Sequence, residues 1–346
     1  MECPLIKQGF EQGSCQVFDF QVGRWQKACE STLKYKDGVP YRLINAIFLS
    51  RPEHYLSIYQ SGCNLACKKC HSWHFTQNAV GEWMSPYDMA KEVEKYLSDY
   101  KITFVSREHA TSWHAHELCI GCGSCVMYGK RSKRCPGIVD VDKIELSPQG
   151  WGPARNIVAF TGGDLACQPA FYAKSAELIK ELNERVWVLF ETNGYGLTPG
   201  NLDLFKESGI DSLWLDIKAF DEDTHRKLTS VSNSRILKLP AELKEKGFVF
   251  EVLSLYIPGW VETAQIAKIA TELASVDAEI PFTILAFFPS YQMRDVPSPN
   301  MWQMLDAYNA AKDAGLRKIR LGNVHLFVNT REEYEILEKF VGRESL

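Results

Sequence analysis

Three closely spaced cysteines are the residues of this sequence best suited to chemistry. Cys63, Cys67 and Cys70 form a C-x3-C-x2-C run directly after the apolar, strand-like stretch 56–59. Three thiolates on one loop suit an iron–sulfur cluster or zinc, because both take soft sulfur ligands. A four-iron cube would keep one iron without a protein ligand, and an open iron can bind a substrate. A zinc knuckle or a buried cysteine cluster is the alternative.

The spacing of this run resembles the cluster motif of the radical S-adenosylmethionine (SAM) superfamily. In that family the open iron chelates the amino and carboxylate groups of SAM. One electron then cleaves the sulfonium, and the 5′-deoxyadenosyl radical abstracts hydrogen from a substrate. The resemblance implies a SAM-binding [4Fe–4S] cluster on these three cysteines. One residue departs from the family, since the residue before the last cysteine is usually aromatic and is Lys69 here. The packing beneath the adenine could therefore differ.

A second cysteine group has the spacing of a fully ligated cluster. Cys119, Cys122 and Cys125 form C-x2-C-x2-C, and Cys135 follows after nine residues with Pro136 behind it. The four ligands and the proline match the style of bacterial ferredoxins, although the last gap is longer. We predict an auxiliary [4Fe–4S] cluster that relays electrons, with a four-cysteine zinc site as the alternative.

The remaining four of the 11 cysteines are scattered along the chain, at Cys3, Cys15, Cys29 and Cys167. Cysteine is often simply a small buried residue, and we expect that role for these four. A third metal site from the first three has no support from their spacing. Because the other seven lie in short runs, metal ligation is favoured over disulfides. Exposed clusters are oxygen-sensitive, so we expect an anaerobic host.

The elements that must position these residues alternate between strand and helix from residue 56 onward. The apolar patterns predict strands at 42–49, 56–59, 157–160, 187–190, 213–217, 249–257, 282–287 and 319–321. They predict helices at 86–100, 170–184, 201–208, 222–229, 236–246, 262–275, 299–314 and 331–341. Repeated strand–helix units give a parallel sheet. A doubly wound sheet would show a G-x-G-x-x-G turn after its first strand, and the sequence has none there.

The fold class predicted is α/β, an incomplete TIM-like (β/α)6 barrel with a ferredoxin-like Fe–S insertion, and the barrel is also the fold of the superfamily that the chain resembles. The barrel would comprise residues 51–100 and 157–346, with the auxiliary cluster insertion at 101–156. Residues 1–50 would be an N-terminal extension packed on the barrel edge. The 346 residues, 45% of them hydrophobic, are enough for this core.

In such barrels the chemistry sits at the carboxyl ends of strands. Gly162, Gly163 and Asp164 follow the strand at 157–160. They resemble the Gly-Gly-Glu motif of the superfamily, which holds the SAM amino group through backbone carbonyls and a carboxylate. An ordinary glycine turn with a capping aspartate is the alternative.

Two further strand ends carry polar residues. Glu191 and Asn193 could bind ribose hydroxyls or the methionyl amine, although Asn-Gly is equally a common turn. Asp216 and Lys218 share one face of a strand, where enclosed charges need partners. They resemble the Asp-x-Lys motif of glycyl radical enzyme activating enzymes, which contacts the SAM carboxylate and ribose. An internal ion pair is the alternative.

Composition limits the partners. A net charge of −4 gives no general attraction to nucleic acid. The sequence has no run of 18 apolar residues and no signal-peptide pattern, so we expect a cytoplasmic protein without membrane contact. The resemblance implies a reductant such as ferredoxin or flavodoxin. Lys130, Arg131, Lys133 and Arg134 could contact an acidic electron donor.

The resemblance covers residues 55–325 and implies an enzyme that activates a glycyl radical enzyme by abstracting hydrogen from a glycine. A second hypothesis changes the target to a small molecule, peptide or RNA. The departures at Lys69 and Asp164 favour it, as do the runs 257–259 and 287–293, which resemble proteins of the AmmeMemoRadiSam system. A third hypothesis is a non-catalytic two-cluster electron carrier, for which an open iron would serve no purpose.

Overall fold

The computed structural model describes residues 3–346, which divide into two compact units. The first unit comprises the described residues up to Asn64 together with 74–192 and 196–214, and the second comprises 65–73, 193–195 and 215–346. None of the helices in this part of the chain combines the length and apolar character needed to cross a bilayer. The three-part division expected from the sequence stays a prediction.

The elements are numbered in chain order. The strands are β1 Val17–Asp19, β2 Arg24–Gln26, β3 Leu33–Lys36, β4 Val39–Leu49, β5 Leu56–Gln60, β6 Glu82–Met84, β7 Ile102–Thr103, β8 Glu145–Ser147, β9 Gly150–Gly152, β10 Ala154–Arg155, β11 Ile157–Gly162, β12 Trp187–Thr192, β13 Ile210–Asp216, β14 Val249–Tyr256, β15 Phe282–Ala286 and β16 Ile319–Gly322. The helices are α1 Pro4–Lys7, α2 Ala28–Ser31, α3 Trp73–Thr76, α4 Pro86–Asp99, α5 Ala115–Leu118, α6 Ser124–Met127, α7 Ala170–Leu182, α8 Pro199–Glu207, α9 Glu222–Thr229, α10 Leu239–Glu245, α11 Thr263–Val276, α12 Met301–Asp313 and α13 Arg331–Val341.

In the first unit the strand order is β3-β4-β5-β11-β12-β13, with β6 paired to β4. Strand β11 is parallel to both β5 and β12, whereas β4 is antiparallel to β5. Residues 157–160 are fully buried, as expected for a parallel strand covered on both faces. The strand predicted at 42–49 is confirmed, and it begins at Val39 as an integral strand of this sheet.

The second unit contains the parallel strands β14, β15 and β16. The α/β class is confirmed, while closure of a barrel stays a prediction. The helix predicted at 236–246 begins later than expected. Residues 236–238 form a 3-10 turn, and α10 begins only at Leu239. Pro240 explains this start, because proline lacks an amide hydrogen and is tolerated in the first helical turn.

Capping side chains fix where the helices of the first unit begin. Ser85 and Asp88 form a capping box ahead of α4, as the sequence predicts. Helix α8 begins two residues earlier than predicted, at Pro199, because the Thr198 side chain caps it by accepting from the Asn201 amide at 3.2 Å. These starts place the loops that precede the helices.

The segment 101–156 is built from short elements of the first unit. Strands β7 and β10 pair in parallel, and β8 and β9 form an antiparallel hairpin. Its own small core consists of Cys119, Val139 and Ile144, with Trp151 packed against it. The ferredoxin-like character of this segment stays a prediction.

A buried guanidinium ties this segment to the chain ahead of β5. Arg155 is fully buried and donates to the carbonyl oxygens of His109 at 3.2 Å and Thr111 at 2.9 Å. Its Nε also donates to the Glu53 carbonyl at 3.0 Å. Two separate segments, one at Glu53 and one at 109–111, thus converge on one side chain, and each would lose a charge-assisted hydrogen bond without it.

We predict that Arg155→Ala lowers the free energy of unfolding by about 3 kcal/mol, because it leaves buried carbonyls unsatisfied. Urea unfolding of the metal-free chain measures this change. Arg317→Ala is the matched control, since that guanidinium is 74% exposed and pairs only with Glu279 among the ion pairs of the described residues. The control should change stability by less than about 0.5 kcal/mol. Equal effects of the two substitutions would contradict the bridging role of Arg155.

Candidate functional site

The turn that follows β11 in the first unit has no room for side chains. Gly162 has a φ of +83°, in the left-handed region that favours glycine. A Cβ on Gly163 would lie 2.1 Å from the Gly62 carbonyl oxygen and 2.6 Å from that of Gln60. The Gly163 amide donates to the Gln60 carbonyl at 2.8 Å. The turns after β5 and β11 therefore touch backbone to backbone.

Asp164 locks the same contact. Its carbonyl accepts from the Asn64 amide at 2.7 Å, beside Cys63. Its buried carboxylate accepts from the Ala166 amide and from the Thr192 hydroxyl, both at 2.7 Å. The contact with Ala166 is a local Asx turn rather than a helix cap, because α7 begins at Ala170 and its N-cap, Pro169, has no side-chain cap.

Glu191 and Asn193, the next predicted residues, serve local structure in different units. In the first unit, Glu191 accepts from the Tyr55 hydroxyl at 2.8 Å and also from the Thr161 hydroxyl. In the second unit, the Asn193 side-chain oxygen accepts from the Tyr195 amide at 2.9 Å, which is an Asx turn. Their contact with SAM stays a prediction.

The second unit places a partly buried ion pair beside two of the cluster-loop cysteines. Asp216 and Lys218 form a salt bridge, as their shared strand face predicts. Burial lowers the pKa of Lys218, but Asp216, Cys67 and Cys70 raise it more, and the net pKa lies above its ordinary range. The buried Oδ1 of Asp216 has no hydrogen-bond partner among the described residues. The pair is therefore charged and incompletely satisfied.

Lys69 makes contacts that the sequence analysis did not foresee. Its ammonium donates to the Ser290 hydroxyl at 2.9 Å and lies 3.4 Å from the centroid of the Phe288 ring. Burial lowers the pKa of Lys69 to about 8, against the opposing effect of Cys70. The family usually has an aromatic residue at the position of Lys69. Here Lys69 instead places its ammonium on the ring face of Phe288. The departure at Lys69 was the signal that could have pointed to Phe288.

A small pocket of the second unit joins these features. It is lined by Cys67, Lys69, Lys218, Leu228, Thr229, Leu255 and Ile257. Apolar side chains form its wall, and two ammonium groups and a thiol supply its polar part. Thiol ligands beside fixed cations fit an iron–sulfur group with net negative charge, and an ammonium fits the carboxylate of SAM.

The cysteines of the insertion also lie together, within the first unit. Burial raises the pKa of Cys119, and the thiols of Cys135, Cys125 and Cys122 raise it further, against a hydrogen bond from the Gly121 amide at 3.3 Å. The four thiols are therefore close enough to interact electrostatically. They fit a four-ligand metal site, as the spacing predicts.

Three potential metal-ligand side chains lie close together in this segment. Ligand atoms of His109, His114 and Glu117 lie within 4.8 Å of one another. Whether the four cysteines hold a cluster or zinc stays a prediction.

The histidine-containing trio was not among the predicted sites. His114 Nδ1 lies 2.7 Å from a carboxylate oxygen of Glu117, and the rings of His109 and His114 are 4.3 Å apart. Two of the three residues are exposed. The trio lies in the segment 101–156 of the first unit, directly ahead of Cys119 in the sequence.

Comparison with known proteins agrees with the resemblance found in the sequence. Residues 120–273 match the family described as the Radical SAM superfamily. A protein of Methanocaldococcus jannaschii, named "Putative glycyl-radical enzyme activating enzyme", is 29% identical over 149 residues. That match covers 42% of this chain and 56% of the relative, so the chain spans little more than half of the relative's length.

Two solved structures are also similar. A domain of the pyruvate-formate lyase-activating enzyme from Bacteroides vulgatus is 21% identical, with a TM-score of 0.41 over 48% of this chain and 98% of that one. Streptococcus suis SuiB bound to S-adenosylmethionine is 15% identical, with a TM-score of 0.40 over 51% of this chain and 40% of that one. The family match includes Gly162 through Lys218 but does not reach Cys63, Cys67 or Cys70.

We predict that Gly163→Ala lowers the midpoint of thermal unfolding by several degrees, because its methyl group would push apart the Gly62 and Gln60 backbones. Differential scanning calorimetry of the metal-free chain measures the shift. Gly200→Ala is the matched control, since a Cβ there would meet only the Gln8 side chain at 3.6 Å. A Gly163 variant as stable as the control would refute the close approach.

Proposed function

We propose, from the premise that residues 120–273 match the Radical SAM superfamily, that this chain is an enzyme that cleaves SAM reductively. Its most specific target would be a glycine of a glycyl radical enzyme, as the name of the 29% identical relative suggests. One observation carries the proposal: the partly buried Asp216–Lys218 pair lies beside the thiols of Cys67 and Cys70. An ordinary structural ion pair would have no reason to face metal ligands.

Cys63, Cys67 and Cys70 would hold a [4Fe–4S] cluster with one open iron. When bound, the cluster and SAM supply an electron and a 5′-deoxyadenosyl radical that abstracts hydrogen. Lys218 would pair with the SAM carboxylate, because its ammonium is held charged in a closed site. The unsatisfied Asp216 Oδ1 would accept from a ribose hydroxyl.

The glycine turn would bind the amino end of SAM. Gly162 and Gly163 leave backbone carbonyls open to close approach, and Asp164 adds a carboxylate held by two internal donors. Glu191 and Asn193 would contribute from the neighbouring strand end. Because these side chains are already hydrogen-bonded, they are preorganised for a ligand and lose little freedom on binding it.

The cysteines at 119, 122, 125 and 135 would hold the auxiliary [4Fe–4S] cluster as an electron relay. Cys122 is exposed, whereas Cys119 is buried, so the site runs from the surface to the interior of the segment. The basic run at 130–134 is exposed beside it and suits an acidic reductant such as ferredoxin or flavodoxin. A cytoplasmic location and an anaerobic host stay predictions.

A second candidate keeps the radical chemistry and changes the target to a small molecule, peptide or RNA. The contact of Lys69 with Phe288 and Ser290 favours it, because it alters the packing expected at the cluster loop. The non-catalytic electron carrier explains less. It gives no reason for the partly buried ammonium of Lys218 beside a three-cysteine loop.

We predict that the chain, reconstituted and reduced anaerobically, converts SAM to 5′-deoxyadenosine and that Cys67→Ala abolishes this conversion. The variant removes one of three ligands, so the first cluster should not assemble. Chromatography of the quenched reaction measures the product. Ser72→Ala, on the same loop, is the control and should keep the rate within about twofold. Intact clusters without any product would favour the electron carrier.

The target class needs a separate readout. The reduced chain and SAM are mixed with a candidate glycyl radical enzyme, and an electron paramagnetic resonance spectrum is recorded. A protein-centred glycyl signal supports the activating role. Cleavage of SAM without this signal for any candidate would support the second target class instead.

We predict that Cys122→Ala leaves SAM bound but slows turnover, because the relay cluster would keep only three of its four thiolate ligands. Equilibrium dialysis of SAM and the rate of 5′-deoxyadenosine formation measure the two effects. Full activity with a natural protein reductant would show that electrons do not pass through this group.

A further inference from the structure

The four scattered cysteines do not behave as isolated buried residues. Cys3 precedes α1, Cys15 lies in the following loop, Cys29 lies in α2, and Cys167 lies in the loop after β11. The backbone amide of Ala28 hydrogen-bonds the Cys15 thiol, so that thiol sits at the start of the helix that carries Cys29. All four belong to the first unit.

The four thiols affect one another's pKa electrostatically. Burial raises the pKa of Cys15 to about 11, and the thiols of Cys29 and Cys3 raise it further. Burial also raises the pKa of Cys167, with added effects of Asp164, Cys15, Cys3 and Cys29. Each thiol therefore lies within electrostatic reach of the others, although up to 164 residues separate them in the chain.

Contacts that do not involve the thiols hold the segments together. The Thr198 hydroxyl donates to the Gln8 side chain at 2.6 Å, which docks the end of α1 on the loop before α8. Gly196, in that loop, lies so close that a Cβ would be 2.4 Å from the Cys167 amide nitrogen. The segments that carry Cys3 and Cys167 are thus joined through one short loop.

The loop of Cys15 has its own anchor. A Cβ on Gly13 would lie 2.4 Å from the Asn64 carbonyl oxygen, so this loop packs against the backbone next to Cys63. Asp164 influences Cys167 electrostatically. The four thiols are therefore neighbours of the glycine turn in the first unit.

Four neighbouring thiols can form disulfides or bind zinc or an iron–sulfur cluster. No cysteine of the described residues is in a disulfide, and no three of their sulfurs lie within 4.8 Å of one another. Zinc would need sulfurs roughly 3.8 Å apart, and thus a tighter group. Four thiolates at wider spacing suit a four-iron cube, which binds one cysteine per iron.

We propose that Cys3, Cys15, Cys29 and Cys167 are the four ligands of a further [4Fe–4S] cluster, which fastens residues 3–36 to the loop after β11. This cluster uses no residue of the two sites described above. It has a full set of protein ligands and no open iron, so it does not bind SAM.

Iron and acid-labile sulfide per chain, measured after anaerobic reconstitution of the full chain, test this site. The wild type should hold about twelve irons and Cys15→Ser/Cys29→Ser about eight, a loss of about four. Ser31→Ala is the matched control, because its buried hydroxyl has no hydrogen-bond partner among the described residues, and it should lose no iron. An unchanged iron count in the double variant overturns the proposal, as does loss of about one zinc instead of iron.

A second variant tests the site in case the double variant does not fold. Serine replaces the seven cysteines at 63, 67, 70, 119, 122, 125 and 135, so that the four remaining cysteines act alone. This folded chain should retain about four irons and four sulfides with the brown absorption of a cluster. A colourless folded chain overturns the proposal. Because the readout is metal content, it does not depend on whether the chain cleaves SAM.

Discussion

The first unit depends on one backbone contact, between the turns that follow β5 and β11. Gly163 fits only because it has no side chain, with the Gly62 and Gln60 carbonyls inside the space that a Cβ would fill. Hydrogen bonds across the contact then join Gly163 to Gln60 and Asn64 to Asp164. Parallel strands bring their carboxyl ends to one edge, and this contact fixes the loops there. It sets the position of Cys63 relative to the glycine turn without any side chain taking part.

Much of the fold follows from local patterns. The apolar run at 157–160 predicts a buried strand, and Ser85 with Pro86 predicts the start of a helix. The integration of β3 and β4 into the sheet was harder to see, since antiparallel pairing with β5 depends on residues distant in the chain. Short-range signals give elements, whereas pairing partners depend on tertiary contacts.

The candidate site divides in the same way. The cysteine runs and the Asp216–Lys218 pair were predictable, because each is a local spacing with a chemical reason. The role of Asp164 as a double acceptor was open, since only the structure brings Thr192 to it. The contacts of Lys69 needed Phe288 and Ser290, more than 200 residues away. The four cysteines at 3, 15, 29 and 167 carry no spacing signal at all, because their ligand set would be assembled by folding alone.

The electrostatics of the second unit argue that its ion pair serves more than stability. A buried pair generally gains little over apolar residues of the same volume, and an unsatisfied carboxylate oxygen adds a further cost. Asp216 and Lys218 bear that cost beside Cys67 and Cys70, while Lys69 adds a second ammonium in the same pocket. Two cations near thiols are unfavourable neighbours for each other and favourable ones for anions. Such an arrangement favours a negatively charged group, which would offset the repulsion between the two ammonium groups on binding beside them.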